Sequence, residues 1–127
     1  MSQNMTHRER VLAALRREPA LYACDVTDRT AVDAAVEHTA AEIAPPLVLV
    51  NAAGIAESRP LLPPDDDLWQ HTLAVNATGP WIATTACLPH MEEAGWGFVA
   101  NVASTAALRG YRYTAAYVAS KHALLGL

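Results

Sequence analysis

Tyr117 and Lys121 are the two residues of this sequence best suited to moving a proton together. They stand four positions apart in a segment with helical character, so both side chains lie on one face of the helix. A free tyrosine has a pKa of roughly 10 and is a poor proton shuttle near neutral pH, whereas a cation within reach favours the phenolate. The pair therefore indicates a general acid/base. The alternative is a surface tyrosine beside a solvated lysine.

Ser104 is a second candidate, because it follows the apolar run Phe98–Ala103. In parallel α/β sheets, ligands bind at the carboxyl ends of the strands. A hydroxyl at that position can bond a substrate carbonyl and hold it against the tyrosine. The alternative is a serine that caps a helix or forms a turn.

Three apolar runs have the length of buried strands, namely Ala20–Cys24, Leu47–Val50 and Phe98–Ala103. The second has no polar alternation, which is typical of a strand covered on both faces. We expect the second and third strands to be adjacent and parallel. The first either stands apart from the second or pairs with its free edge.

Helix boundaries follow from capping residues, acidic first turns, glycine and proline. A first helix is predicted over residues 6–18, and a second from a cap at Thr27 or Asp28 to Pro45. A third is predicted from Asp65–Asp67 to about Ala94, with a bend or restart at Gly79–Pro80 and a stop at Gly95. The last is predicted from near Thr114 to Leu127. The apolar face of the second helix comprises Val32, Val36, Ala40 and Ile43. Strands that alternate with helices of this length predict an α/β fold with parallel strands.

Further motifs occur in a fixed order along the chain. Ser104 precedes Tyr117 by thirteen residues, Asn51-Ala52-Ala53-Gly54 follows the second predicted strand, and Asn76 and the pair Asp25-Val26 complete the set. Together these residues resemble the short-chain dehydrogenase/reductase family over residues 20–127. The resemblance implies a partial Rossmann-type, doubly wound parallel sheet that contains family strands 3, 4 and 5 with flanking helices and lacks strands 1, 2, 6 and 7.

The resemblance also implies an activity, namely hydride transfer between NAD or NADP and a carbonyl/alcohol substrate. The implied catalytic residues are Asn76, Ser104, Tyr117 and Lys121. Tyr117 would be the general acid/base, Lys121 would also hold the nicotinamide ribose, Ser104 would orient the substrate oxygen, and Asn76 would hold a water of the proton relay.

The implied cofactor-binding residues are Asp25, Val26, Asn51, Ala52, Ala53 and Gly54, together with Tyr117 and Lys121. Asp25 would accept from the adenine amino group with Val26 alongside, and Asn51 and Ala52 would lie along the adenosine ribose. The Asn51 side chain would also pin neighbouring strands.

The sequence departs from the family at its front. The family opens with a glycine-rich turn that cradles the pyrophosphate, whereas the first glycine here is Gly54. We therefore expect weak or absent cofactor binding by this chain alone. Residues 1–19 are predicted to form a separate helix of uncertain origin, either the family's third helix or one that resembles the opening helix of uroporphyrinogen decarboxylase-like proteins. The alternative function is a truncated, non-catalytic remnant or interaction module.

Composition limits the partners. The net charge of −4 argues against nucleic acid, and no apolar stretch predicts a membrane span or signal peptide, so a cytoplasmic location is expected. Cys24 and Cys87 are expected to be buried apolar side chains without a metal role. The family resemblance implies a homo-oligomer, dimer or tetramer. Trp81 is expected to lie in the core rather than at an interface.

Overall fold

The computed structural model describes residues 21–127 as a parallel α/β unit. In chain order the elements are α1 Arg29–Glu42, β1 Val48–Asn51, α2 Asp66–Leu73, a π-helical turn Ala74–Thr78, α3 Gly79–Glu93, β2 Phe98–Asn101, a 3-10 turn Thr105–Ala107 and α4 Ala115–Gly126. The predicted α/β fold class is confirmed. The helix predicted over residues 6–18 and the separate unit 1–19 lie outside the described residues and stay predictions.

The two strands pair in parallel, as predicted. Val48 lies opposite Phe98, and Asn51 lies opposite Asn101. Beyond the strand itself, the Val102 amide still donates to the Asn51 carbonyl at 2.9 Å. The strand β2 nevertheless ends two residues before the predicted end, because β1 stops at Asn51 and offers no further ladder.

One face of the sheet is open in the described part of the chain. The helix α3 packs on both strands, whereas Val48 and Val50 on β1 are 56% and 58% exposed and Phe98 on β2 is 57% exposed. The expectation that β1 is covered on both faces is therefore wrong for residues 21–127. The apolar run predicted a buried strand correctly, but the second covering layer is a tertiary property.

The predicted strand Ala20–Cys24 is not present in its described part, residues 21–24, which have no regular structure. Leu21 is 91% exposed, and the sheet of the described residues contains only β1 and β2. An apolar run forms a strand only where a neighbour accepts its backbone hydrogen bonds. In the doubly wound order, two further strands separate this run from β1, and it has not paired with β1 directly.

The helix boundaries agree closely with the predicted caps. Asp28, rather than Thr27, caps α1 by accepting from the Ala31 amide at 3.2 Å. Asp65 caps α2 by accepting from the Leu68 amide at 2.9 Å.

At the other end of this segment, Gly95 follows α3 with a φ of 64°, a left-handed conformation in which glycine has no Cβ to clash. Local hydrogen bonding therefore explains both ends of the segment.

The helix α1 packs on α3 through part of its predicted apolar face. Val32 is buried, and the Arg29 side chain donates to Thr85 at 3.2 Å. Val36 and Ala40 are half-buried, and Ile43 is 39% exposed, so only the first half of the face is covered.

Two side chains expected in the core are not there. Trp81 is 52% exposed, so the expectation that it is a core residue is wrong, and the homo-oligomer stays a prediction. Cys87 is buried and its burial raises the thiol pKa, which keeps it an uncharged apolar side chain as expected, but Cys24 is only half-buried.

No helix among residues 21–127 is long and apolar enough to cross a membrane.

Tyr113, in the loop before α4, has a φ of 63°. This conformation is an outlier for a bulky residue and costs a side chain with a Cβ roughly 1 kcal/mol. Its ring is 59% exposed, so little packing is lost on removal. We expect Tyr113→Gly to be more stable than Tyr113→Ala by about 1 kcal/mol, measured by urea unfolding. The Ala variant removes the ring but keeps the Cβ. Equal stability of the two variants would contradict strain at this position.

Candidate functional site

Lys121 is a buried amine at the carboxyl end of β2. Its exposed fraction is 5%, and its Nζ donates to the carbonyl of Val102, the residue that follows the strand, at 2.9 Å. The helix α4 brings Tyr117 one turn before it, with Nζ 5.8 Å from the centre of the tyrosine ring. The predicted pair therefore shares one face of α4. Buried lysine is rare unless it is paired, and within residues 21–127 only one of its three donors has a hydrogen-bond partner.

Asn76 lies in the π-helical turn and is completely buried. Its Oδ1 accepts from the Ile55 amide at 2.8 Å, and its Nδ2 donates to the Ile55 carbonyl at 2.8 Å. The same nitrogen donates to Ser120 Oγ at 2.9 Å. Both amide protons of Asn76 are thus used, and the side chain braces the loop after β1 against α4.

The loop after β1 passes close to this cluster at Gly54. A Cβ at Gly54 would lie 3.3 Å from Asn76 Oδ1 and 3.6 Å from Lys121 Nζ. The first distance is tighter than an ordinary van der Waals contact. The missing side chain therefore keeps a space open beside Asn76 and Lys121.

The π-helical turn has a local cause in the sequence. Pro80 has no amide proton, so it cannot donate to the carbonyl of Asn76 four residues earlier as an α-helical residue would. The Gly79 amide instead donates to the Ala74 carbonyl, five residues back. Gly79 also faces Val26, whose Cγ2 would lie 2.9 Å from an added Cβ. The helix was predicted to bend or restart at Gly79–Pro80, and the π turn before that point was not predicted.

Ser104 caps a helical turn, which was the alternative to a substrate-binding role in the sequence analysis. Its Oγ accepts from the Ala106 amide at 3.1 Å and begins the 3-10 turn. That turn packs against α4, which places Ser104 at the predicted end of the sheet. The cap uses the oxygen as an acceptor and leaves the hydroxyl proton available to another partner.

Asn51 ends β1 with a buried side chain. Its Nδ2 donates to Asn101 Oδ1 on β2 at 2.9 Å and lies 3.3 Å from Thr84 Oγ1 on α3. The expected pin between neighbouring strands is present. Ala52 and Ala53, which follow it, are exposed.

Asp25 lies at the start of the described chain in a turn. Its Oδ1 accepts from the Thr27 amide at 2.9 Å and from the Thr27 hydroxyl at 2.8 Å. These two hydrogen bonds lower the pKa of the Asp25 carboxyl, with a smaller contribution from His71. Asp25 is therefore ionised and purely an acceptor at neutral pH.

The loop between Ser104 and Tyr117 carries a polar cluster that sequence reasoning did not single out. The Tyr111 hydroxyl accepts from Arg109 Nε at 2.8 Å and bonds Thr105 Oγ1 at 2.9 Å. The bond with Thr105, followed by that from Arg109, lowers the pKa of Tyr111. Its position in the loop was visible in the sequence, but the contact was not.

The structure brings four predicted positions together, namely Gly54, Asn76, Tyr117 and Lys121. Asn51 and Ser104 lie at the ends of the same two strands, while Asp25 and Val26 lie beside the start of α3. Sequence reasoning did not single out Ser120, which bonds both Asn76 and the Tyr117 carbonyl and whose only signal is its place three residues after Tyr117.

Lys121 and Tyr117 lie at the carboxyl end of β2, which is where ligands bind in parallel α/β sheets. The family model described as short chain dehydrogenase matches residues 1–127. This chain belongs to the short chain dehydrogenase family, as the resemblance predicted.

Individual relatives agree with this assignment. D-threitol dehydrogenase of Mycolicibacterium smegmatis is 39% identical over 84% of this chain and 41% of the relative. The protein named inactive 2-(S)-hydroxypropyl-CoM dehydrogenase 2 of Xanthobacter autotrophicus is 38% identical over 81% of this chain and 45% of the relative. The solved structure of ElxO with NADP bound is similar with a TM-score of 0.80 and 30% identity, covering 84% of this chain and 44% of that chain. The chain thus spans less than half the length of these relatives.

Proposed function

We propose that this chain carries the reacting part of an NAD(P)-dependent oxidoreductase that interconverts a carbonyl compound and an alcohol. The observation that supports this most directly is the buried Lys121, which is bonded to the end of β2 and lies 5.8 Å from the ring of Tyr117. An ammonium group beside the phenol can stabilise the negative charge that develops on the Tyr117 oxygen during proton transfer. The pair is therefore suited to passing a proton in either direction.

The residues fit a nicotinamide cofactor. Gly54 leaves open a space that a Cβ would fill, next to Lys121 Nζ, and Lys121 retains donors for the ribose hydroxyls. The ionised Asp25 suits the adenine amino group, because its Oδ1 takes both bonds from Thr27 and Oδ2 has no partner among the described residues. The solved relative ElxO binds NADP. Either NAD or NADP is compatible with the residues of this chain.

The proton chemistry follows from the side chains. The bound cofactor supplies a hydride to the carbonyl carbon or takes one from the alcohol carbon. In reduction, the Tyr117 hydroxyl gives its proton to the carbonyl oxygen, and in oxidation the phenolate takes the proton of the alcohol. Ser104 donates its hydroxyl proton, which the cap does not use, to the same substrate oxygen and orients that oxygen. Lys121 stabilises the charge on the Tyr117 oxygen in both directions.

Asn76 serves this site mainly as a brace. Its side-chain amide is committed to Ile55 and Ser120, so its predicted water would be held by its backbone carbonyl. That carbonyl lacks its α-helical donor because residue 80 is proline. A water held there would link Lys121 to solvent, and solvent would supply the proton that replaces the one Tyr117 gives up.

Cofactor binding is tested with Gly54→Ala in the intact protein. The added methyl lies 3.3 Å from Asn76 Oδ1, and Asn76 cannot yield because Ile55 and Ser120 hold it. The methyl also enters the open space beside Lys121 Nζ that we propose for the cofactor, and a clash there costs about 1–3 kcal/mol, so we expect the dissociation constant of NADH or NADPH to rise roughly tenfold. Fluorescence titration of the nicotinamide measures it.

The matched control is Gly126→Ala, because a Cβ there meets nothing within 4 Å. Its cofactor affinity should equal that of the wild type. If Gly54→Ala binds both cofactors as tightly as Gly126→Ala does, the cofactor does not lie against Gly54 and the proposed binding mode is wrong.

A second candidate is a non-catalytic member of the same family, since one relative of similar identity is named inactive. The two functions differ in turnover. Cofactor-dependent reduction of a panel of aldehydes and ketones, lost in Tyr117→Phe, supports the enzyme. Cofactor binding without turnover in either direction supports the non-catalytic candidate.

A further inference from the structure

Ser120 is a fully buried hydroxyl with two partners that matter to the candidate site. It donates to the Tyr117 carbonyl at 2.8 Å and accepts from Asn76 Nδ2 at 2.9 Å, and its exposed fraction is 0%. The first bond is local, since serine in a helix commonly bonds a carbonyl three or four residues back. The second spans 44 residues of sequence and ties α4 to the π-helical turn.

These bonds form one continuous connection across three segments. The Ile55 backbone holds Asn76 at both polar atoms, Asn76 holds Ser120, and Ser120 holds the backbone of Tyr117. Lys121 is the next residue on α4. The loop after β1, the π-helical turn and the helix that carries the proton donor are therefore joined through the Ser120 oxygen.

We propose that Ser120 is a positioning residue for the reaction, which fixes Tyr117 and Lys121 relative to Asn76. Only a group that donates and accepts at once can hold both partners, and in this buried space a small hydroxyl does so. Proton transfer depends on placement, and a displacement of about 1 Å can cost roughly a hundredfold in rate. This proposal rests on the proposed oxidoreductase function.

The physical consequence of removing the hydroxyl is specific. In Ser120→Ala, one Nδ2 proton of Asn76 loses its partner in a buried site, which is costly to leave unmet. The π-helical turn and α4 then relax independently. Because the Ser120 side chain is fully buried among the described residues and its hydroxyl proton is donated to the Tyr117 carbonyl, the loss should fall on kcat and leave binding nearly unchanged.

The test is a graded series in the intact protein, Ser120→Cys and Ser120→Ala. Cysteine has nearly the volume of serine, but its thiol is a weak donor and acceptor. We expect kcat to fall in the order serine, cysteine, alanine, by roughly tenfold or more for alanine. The KM for the carbonyl substrate and the cofactor dissociation constant should stay within about twofold. The cysteine variant keeps the test available if the alanine variant does not fold.

Two further measurements separate positioning from general destabilisation. Ile82→Val, a buried change on α3 outside the site, lowers the unfolding temperature without touching the Ser120 bonds and should keep wild-type kcat. The Asn76 side-chain amide protons, followed by NMR, should exchange slowly in the wild type and faster in Ser120→Ala.

Each result has a clear meaning. If kcat falls in proportion to the unfolding temperature in every variant, Ile82→Val included, the loss reflects destabilisation and the proposed role of Ser120 is wrong. A loss in Ser120→Ala that is confined to KM also contradicts that role. If the wild-type protein turns over substrate and Ser120→Ala does so at the same rate, the proposed role of Ser120 is wrong, while the proposed oxidoreductase function stands. A wild-type protein without turnover contradicts the proposed function and removes the reaction that Ser120 would serve.

Discussion

Replacing Tyr117 by phenylalanine should remove nearly all carbonyl reduction while leaving the protein folded and able to bind cofactor. The hydroxyl is the proposed proton donor, and loss of general acid/base catalysis costs roughly 10²–10⁴-fold in kcat. Among residues 21–127 the Tyr117 hydroxyl has no hydrogen-bond partner, so its removal leaves no buried group unmet. Steady-state kinetics with NADH or NADPH measure kcat, and fluorescence titration measures the cofactor dissociation constant, which should change far less than kcat.

The matched control for this prediction is Tyr113→Phe. It makes the same chemical change four residues earlier, on a ring that is 59% exposed, and should retain wild-type kcat. A Tyr117→Phe protein that turns over at the rate of Tyr113→Phe would exclude Tyr117 as the proton donor. The oxidoreductase proposal would then need another acid.

Lys121→Met should cause the second large loss, with a different kinetic signature. The methionine side chain has a similar length and fills the buried space, but it removes the charge beside Tyr117 and the donors proposed for the ribose. We expect kcat to fall on the order of 10²-fold or more, and the cofactor dissociation constant to rise at least roughly tenfold. Stability should change modestly, because the Val102 carbonyl loses one hydrogen bond while a buried charge is removed.

Arg112→Met provides the control for the loss of a positive charge near the site. Arg112 is exposed in the loop before α4, so its replacement should leave both kcat and cofactor affinity near wild type. Comparison with Tyr117→Phe is also informative, because Lys121→Met should lower the cofactor affinity much more than Tyr117→Phe does. A Lys121→Met protein with wild-type cofactor affinity would contradict the ribose contact, while an unchanged kcat would contradict the electrostatic role.

The local signals in the sequence determined much of the helical structure. Asp28 and Asp65 cap their helices, and Gly95 ends α3 in a left-handed conformation. Each depends on hydrogen bonds or sterics within a few residues, which the order of residue types already specifies. The pairing of β1 with β2 followed from a general rule for strands joined by a crossover.

The candidate site residues could also be found from the sequence, because they occur at fixed spacings. Helical periodicity alone predicts that Tyr117 and Lys121 share a helix face. The separation of thirteen residues between Ser104 and Tyr117 is one of the features that carry the family resemblance. The spacing could not show that Ser104 caps a 3-10 turn, since a serine after a strand is equally suited to a turn or a ligand.

Properties that depend on distant neighbours were decided only by the tertiary structure. The run Ala20–Cys24 has the composition of a strand, but its described part, residues 21–24, pairs with no strand of the described chain. Val50 and Trp81 are apolar and yet exposed, because burial depends on which elements pack over a residue. An apolar pattern predicts a tendency to be covered, and only the packed fold supplies the cover.

The connection from Ile55 through Asn76 to Ser120 is the clearest case of this division. The sequence alone places Ile55 on a loop, Asn76 in a helix and Ser120 in a motif, and the bonded pairs are separated by 21 and 44 positions. Periodicity has no information about contacts over such separations, whereas the fold brings the three within hydrogen-bonding distance. The types of the candidate site residues were therefore determined by the sequence, and the arrangement that holds them was determined by the packing of α4 against the π-helical turn.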